Sequence, residues 1–171
     1  MPRNIELKAR CPDLPLAASR SKSLGAREAG ILNQVDTYYH VKQGRLKLRT
    51  IDNDRAELIF YHRDNSSEVR PSDYQIVAIT DPAALNVVLS QSLGVIARVR
   101  KRRRLLLWEN VRIHLDDVDQ LGTFLEFEAV VGPAADEATS HRRVAELRAA
   151  LQISDADLID SSYSDLLLKR L

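Results

Sequence analysis

Glu126 and Glu128 stand two residues apart in the run Leu121–Val131, LGTFLEFEAVV. The alternation puts Phe124, Glu126 and Glu128 on one face of a strand and Leu125 and Phe127 on the other. Carboxylates at that spacing lie about 7 Å apart by strand rise, close enough to share one cation. Asp116 lies just upstream in a second strand-like run, Asn110–Asp117. Glu6 lies in a third, Asn4–Arg10, where Asn4, Glu6, Lys8 and Arg10 share a face. Hard divalent cations such as Mg²⁺ or Mn²⁺ prefer such oxygens. Solvated strand faces carry carboxylates too, so this acidic set takes its meaning from what opposes it.

What opposes it is a set of cations with the same periodicity. Arg45, Lys47 and Arg49 alternate with Leu46 and Leu48, and Lys101 and Arg103 share one face of the long run Val95–Trp108. Arginine forks take phosphate oxygens in pairs and lysine acts as a point charge, so facing arrays of the two would hold a phosphate chain. The plainer alternative is a basic surface, with RVRKRRR (98–104) as a nucleic-acid patch. The formal net charge is only +1, and the acidic and basic blocks are separated along the chain. That balance favours facing surfaces inside one site over a general polyanion binder, and argues against nucleic acid as the partner.

Other chemistries find little support. His40, His62, His114 and His141 have no zinc-like spacing and read as structural or surface residues. Ser161, Ser162 and Ser164 lack a His/Asp arrangement, and the six glycines are scattered, forming no phosphate loop. The single cysteine, Cys11, excludes an intrachain disulfide and argues against a thiolate zinc site. MPRNIELKARC carries no apolar signal-like stretch and no run of 18 apolar residues occurs, so a cytoplasmic, non-membrane protein is expected.

The elements that must position these residues are legible from alternation and punctuation. Strands are expected over Asn4–Arg10, Gln34–Val41, Arg45–Thr50, Glu57–Arg63, Tyr74–Thr80, Val95–Trp108, Val111–Leu115 and Leu121–Val131, with Asp52-Asn53-Asp54 as a hairpin turn. Asp64–Ser72, containing Pro71, reads as a polar loop. Helices are expected from Asp13 to Leu24, from Asp81-Pro82 to Leu93, over Asp136–Leu151 and over Asp155–Leu168, with Tyr163 packing back on the sheet. With 171 residues, 44% hydrophobic and 29% charged, one domain over residues 1–171, or one domain with a short helical tail, is expected, and the strands and helices together make it α+β. Charge on one face of nearly every strand permits closure into a barrel with a polar lumen.

In chain order NIELK, QVDTYY, GRLKLR, AELIFY, VRKRRR and IHLDDVDQLGTFLEFE resemble the CYTH family, the triphosphate tunnel metalloenzymes, which include class IV adenylyl cyclases and thiamine triphosphatases. The resemblance runs from Asn4 to about Tyr163 and is most specific at Asp116–Glu128. It implies a closed eight-stranded antiparallel β-barrel holding a triphosphate and Mg²⁺ or Mn²⁺. Glu6, Glu126 and Glu128 would bind metal, with Asp116 as a further ligand or the catalytic, water-orienting group. Lys8, Lys47, Arg49, Lys101 and Arg103 would bind substrate phosphates, and Arg63 would replace a lysine usual on the Glu57–Arg63 strand. The substrate would be ATP, tripolyphosphate or thiamine triphosphate. Cyclase activity is the nominal expectation, triphosphatase the alternative, and a non-catalytic nucleotide or polyphosphate sensor the second alternative. The family's E-x-E-x-K becomes N-x-E-x-K here: Asn4 can ligate through its amide oxygen but adds no charge. A homodimer would have to form through the helices or the outer barrel face.

Overall fold

The computed structural model describes residues 2–63 and 69–170, apart from the side chain of Arg63. Eight antiparallel strands close into a barrel: β1 (Arg3–Arg10), β2 (Arg27–Tyr39), β3 (Arg45–Ile51), β4 (Arg55–Arg63), β5 (Arg70–Ala78), β6 (Val95–Trp108), β7 (Val111–Val118) and β8 (Gly122–Val131). The order around the barrel is β1-β5-β4-β3-β2-β6-β7-β8. Helices α1 (Leu14–Ser23), α2 (Pro82–Leu93), α3 (Glu137–Ala150) and α4 (Tyr163–Leu168) complete the α+β fold.

The alternating side chains produce two environments. On the outside of β1, β6, β7 and β8, Ile5, Leu7, Leu106, Ile113, Leu115, Leu125 and Phe127 pack with Ala17 and Ala18 of α1 and Val144 and Leu147 of α3. The inward faces carry the polar residues. Closure is what permits this inversion, because a barrel has an interior that an open sheet lacks. One end of the lumen is apolar: Tyr38, Val99, Val118 and Phe124 meet Ile159 and Tyr163 there.

Local chemistry sets the ends of the elements. Asp13, Asp81 and Asp136 cap α1, α2 and α3, each accepting a backbone N–H at 2.8, 3.0 and 2.8 Å. In the β3–β4 hairpin Asp52 and Asn53 both take positive φ, 51° and 56°, a conformation these residues tolerate well. Gly44, with φ of +67°, could not carry a side chain, since a Cβ would meet the Phe60 ring and the Tyr61 carbonyl at 2.9 Å.

Three expectations change. β5 begins at Arg70, within the segment expected to be a loop; Pro71 pairs with Ile5 in a seam of four register pairs, where a missing donor costs little. The rest of that expected loop, residues 64–68, lies outside the described residues. β2 begins at Arg27, well before Gln34, because a register shift between Glu28 and Gly30 breaks the alternation that would have announced it, and it ends before His40. The expected helix Asp155–Leu168 is a 3₁₀ turn at Asp155–Asp157, an extended link in which Ile159 donates to the Lys8 carbonyl, and the short α4. Ser154 and Ser162 each begin a capping box, so the segment starts two turns of helix in succession rather than one long helix.

Candidate active site

The barrel encloses a cavity of about 360 Å³ lined by residues from all eight strands and by Ser162 and Tyr163. Its walls differ in sign. On β2, β3 and β6, Asp36 accepts from Arg49 Nε and Nη2 at 2.7 and 2.8 Å, from Lys47 Nζ at 3.1 Å and from Lys101 Nζ at 3.0 Å. Three basic side chains share one carboxylate, leaving a surplus of positive charge in a region removed from water. Burial alone would raise the Asp36 carboxyl, but Arg49, Lys101 and Lys47 outweigh it and hold it well below the usual range. Burial drives Lys101 down to about 7; Asp36 opposes this, while Arg49, Arg103 and Lys47 add to it.

The opposite wall, from β1, β7 and β8, carries the carboxylates. Register places Glu6 beside Glu128, Lys8 beside Glu126 and His114 beside Glu126. Lys8 Nζ lies 3.2 Å from Glu126 Oε1, and Arg112 Nη2 lies 3.0 Å from Glu128 Oε2. His114 Nδ1 sits 3.7 Å from Glu126 Oε2 and 3.8 Å from Glu128 Oε1. Burial would raise Glu126, but Lys8, His114 and Arg103 hold it well below the ordinary carboxylate range. Burial acts on Glu128 in the same sense, and there His114 and Arg112 overcome it and lower the carboxyl.

These residues fit a divalent cation. Ligand atoms around a six-coordinate ion lie about 3 to 4 Å apart, the spacing of His114 Nδ1 from the two carboxylates. His114 Nδ1 is buried and makes no hydrogen bond, and burial lowers the imidazole's pKa, favouring the neutral form that can ligate. Asn4 Oδ1, also on the cavity wall, is another buried acceptor without a hydrogen-bond partner. Two carboxylates and one imidazole suit Mn²⁺ or Mg²⁺, with the nitrogen favouring the softer Mn²⁺.

The expected residues do not all converge. Glu6, Glu126, Glu128, Lys8, Lys47, Arg49, Lys101 and Arg103 line the cavity. Asp116 does not: it is fully buried, and its oxygens accept from Arg103 Nε and Nη2 at 2.7 Å and from the Tyr163 hydroxyl at 2.8 Å. Burial would raise its pKa, but the Arg103 guanidinium outweighs that and holds it at about 2. Asp116 stands behind Arg103, two register positions from the His114–Glu126 pair. Arg103 also donates to Glu126 Oε2 at 3.1 Å, linking the acidic wall to the basic one. Arg45 pairs with Asp165 of α4 at 2.6 Å. Arg63 pairs with Ser72 at the end of β4, and its side chain lies outside the described residues.

Sequence reasoning undervalues three residues. His114 joins Glu126 and Glu128 as the group able to hold a metal ion among the described residues. Its signal is a place on a polar strand face two residues before Asp116. Asp36 announces itself by its place in QVDTYY and in the alternation of the Gln34–Val41 run, neither of which gives it a role. Tyr163 is part of the lumen, with Lys8 Nζ 4.0 Å from its ring centroid.

A closed barrel with opposed charged walls is a structural type, and comparison with known proteins gives it a family. The CYTH domain matches residues 2–163. The chain belongs to the CYTH family. Among CYTH-like relatives, the chain is 25% identical over 170 residues to the Methanocaldococcus jannaschii protein named "Putative adenylate cyclase MJ0240", covering 95% of this chain and 97% of that one. The PH1012 protein of Pyrococcus horikoshii shares the fold with a TM-score of 0.82 at 23% identity, covering 95% of this chain and 98% of that one. A Hippeastrum protein described as a "Putative adenylyl cyclase" that "reveals a dominant triphophatase activity" superposes with a TM-score of 0.65 at 18% identity, covering 98% and 95% of the two chains.

Proposed function

We propose that the chain is a divalent-metal-dependent enzyme acting on a triphosphate, nominally converting ATP to cyclic AMP and pyrophosphate. The observation that carries this reading is the opposition of the two walls. Lys47, Arg49 and Lys101 gather on one side of the lumen, where they would face phosphate oxygens with surplus positive charge, while Glu126, Glu128 and His114 offer a candidate cation site across it. The M. jannaschii relative's name supports the cyclase label.

Arg49, Lys47 and Lys101 would hold the phosphate chain and take up charge on its oxygens, and Arg103, fixed by Asp116, would add a donor between the walls. Glu126, Glu128 and His114 would hold the ion, with Glu6 and Asn4 beside them. A bound Mg²⁺ or Mn²⁺ would polarise the phosphoryl group and neutralise the negative charge that develops on its oxygens. In cyclisation the ribose 3′-oxygen forms a bond to the α-phosphorus, the bond to the β-phosphate bridging oxygen breaks, and the 3′-hydroxyl proton passes to a base or to water. In hydrolysis, water forms a bond to the terminal phosphorus and the bond to the bridging oxygen breaks, so that the rest of the chain leaves as a diphosphate. The attacked group is released as orthophosphate, with the water's proton passing to a base or to solvent.

Hydrolysis is the second reading, and the description of the Hippeastrum protein supports it. With both oxygens committed to Arg103 and Tyr163, Asp116 is poorly placed to take a ribose proton or to orient a water, so it does not separate the two reactions.

Phosphorus NMR of products from ATP, tripolyphosphate and thiamine triphosphate, each with Mg²⁺ or Mn²⁺, separates the readings. Cyclic AMP with pyrophosphate supports cyclisation; orthophosphate without cyclic product supports hydrolysis. Binding with no turnover of any of the three would overturn the enzymatic reading in favour of a sensor.

A further inference from the structure

Asp36 lies outside the surface of the cavity, fully buried, while the three cations that donate to it do line the cavity. They therefore stand between this carboxylate and the lumen. Arg49 turns its Nε and one N–H of Nη2 toward Asp36 in a fork. Lys47 and Lys101 spend one N–H each on it. Beyond what Asp36 takes, the guanidinium keeps three of its five N–H bonds and each ammonium two of its three. Asp36 lies on β2, between β3, which supplies Lys47 and Arg49, and β6, which supplies Lys101. No neighbouring strand pair could gather all three cations by register alone, since β3 and β6 do not touch along the barrel order.

We propose that Asp36 is a positioning residue for substrate phosphate: its carboxylate anchors Lys47, Arg49 and Lys101 from behind so that their remaining donors converge on one phosphate group. The inference rests on reading the lumen as a triphosphate site. Without an anion at this point, three cations crowded in a low-dielectric space would separate, and the arrangement would have to be rebuilt at each binding event. With Asp36 in place, the repulsion is already relieved and a surplus of positive charge remains for the substrate. Arg103 backed by Asp116 repeats the device with a single cation.

The test compares wild type, Asp36→Asn, Lys101→Met and the double variant by thermal unfolding and by calorimetric titration with metal-free tripolyphosphate. Asparagine keeps the shape but removes the charge and the two-oxygen match to the Arg49 fork. Asp36→Asn should unfold at a lower temperature and bind tripolyphosphate about tenfold or more weakly. In the Lys101→Met background, where one repelling cation is gone, the loss in unfolding temperature caused by Asp36→Asn should shrink. The loss in affinity should persist there, because Lys47 and Arg49 still need their anchor. A residue that merely stabilised the fold would lose both effects together, and that result would overturn the proposal. So would unchanged or tighter binding by Asp36→Asn. If wild type itself fails to bind tripolyphosphate, the triphosphate reading falls and takes this proposal with it; binding by wild type with an unaffected Asp36→Asn removes the proposal alone.

Discussion

Lys101 makes phosphate binding a proton-linked event. In the free lumen its ammonium gives up its proton at about pH 7, against an ordinary value of 10.5, through burial among Arg49, Arg103 and Lys47 with only Asp36 to oppose them. A polyanion laid on Lys101 would restore the charged form toward its ordinary range. Between those limits, each pH unit lowers the apparent affinity by a factor of about ten, or about 1.4 kcal/mol. At pH 7 half of Lys101 is still protonated, so the loss from pH 7 to pH 9 is about fiftyfold. Folding stability moves the opposite way. Between pH 7 and 10.5 the unfolded chain keeps the proton that the folded chain has lost, so raising the pH through that window favours the fold.

Calorimetry measures this linkage directly. Tripolyphosphate titrated at pH 8 in two buffers of different ionisation enthalpy reports the protons taken up on binding. Lys101→Met subtracts the ligand's own protonation, leaving an uptake of nearly one proton that belongs to wild type. The affinity of wild type should fall more steeply with pH than that of Lys101→Met. Equal proton uptake and parallel pH profiles in the two proteins would refute the assignment of a neutral lysine to the free lumen.

The other walls make their own predictions. Glu126→Gln or Glu128→Gln should weaken Mn²⁺ binding about tenfold or more, seen by electron paramagnetic resonance as a free Mn²⁺ signal that persists at higher protein concentration; undiminished binding would remove these residues from the metal site. Stripping the ion with a chelator should abolish turnover while leaving the unfolding profile of the barrel in place, and re-addition of Mn²⁺ should restore activity. Arg49→Ala should cost more affinity for tripolyphosphate than for orthophosphate, since the longer chain spans more of the basic wall; proportional losses would argue that the lumen does not distinguish chain length. Asp116, held at about 2 against an ordinary 3.8, adds stability that is fully present above pH 4 and is lost as pH falls toward 2, so Asp116→Asn should unfold less steeply than wild type over that acid range.

The parts of this fold legible in the sequence are those where alternation survives closure. β1, β3 and β8 keep strict inward and outward positions, so the period-two pattern alone puts Glu6, Lys8, Lys47, Arg49, Glu126 and Glu128 on the faces they occupy. β2 is half hidden because the irregularity at Gly30 shifts its register, and β5 because Pro71 reads as a breaker. The site is harder to read, for a different reason. Alternation gives the face of a residue but not its depth, and depth separates Arg103 on the cavity wall from Asp116 behind it. His114 reads as inert because metal-ligand spacing is local in sequence, whereas its partners arrive from the next strand by register. Asp36 shows the limit most clearly. One carboxylate on β2 collects cations from both neighbouring strands, and its meaning exists only once β3 and β6 lie on either side of it. A strand's own residues therefore identify what a lumen can offer a ligand, while the counter-ions that aim those residues are set by barrel order. Charge-carrying residues at inward positions of a central strand are accordingly the first to test by substitution wherever such a barrel binds an anion.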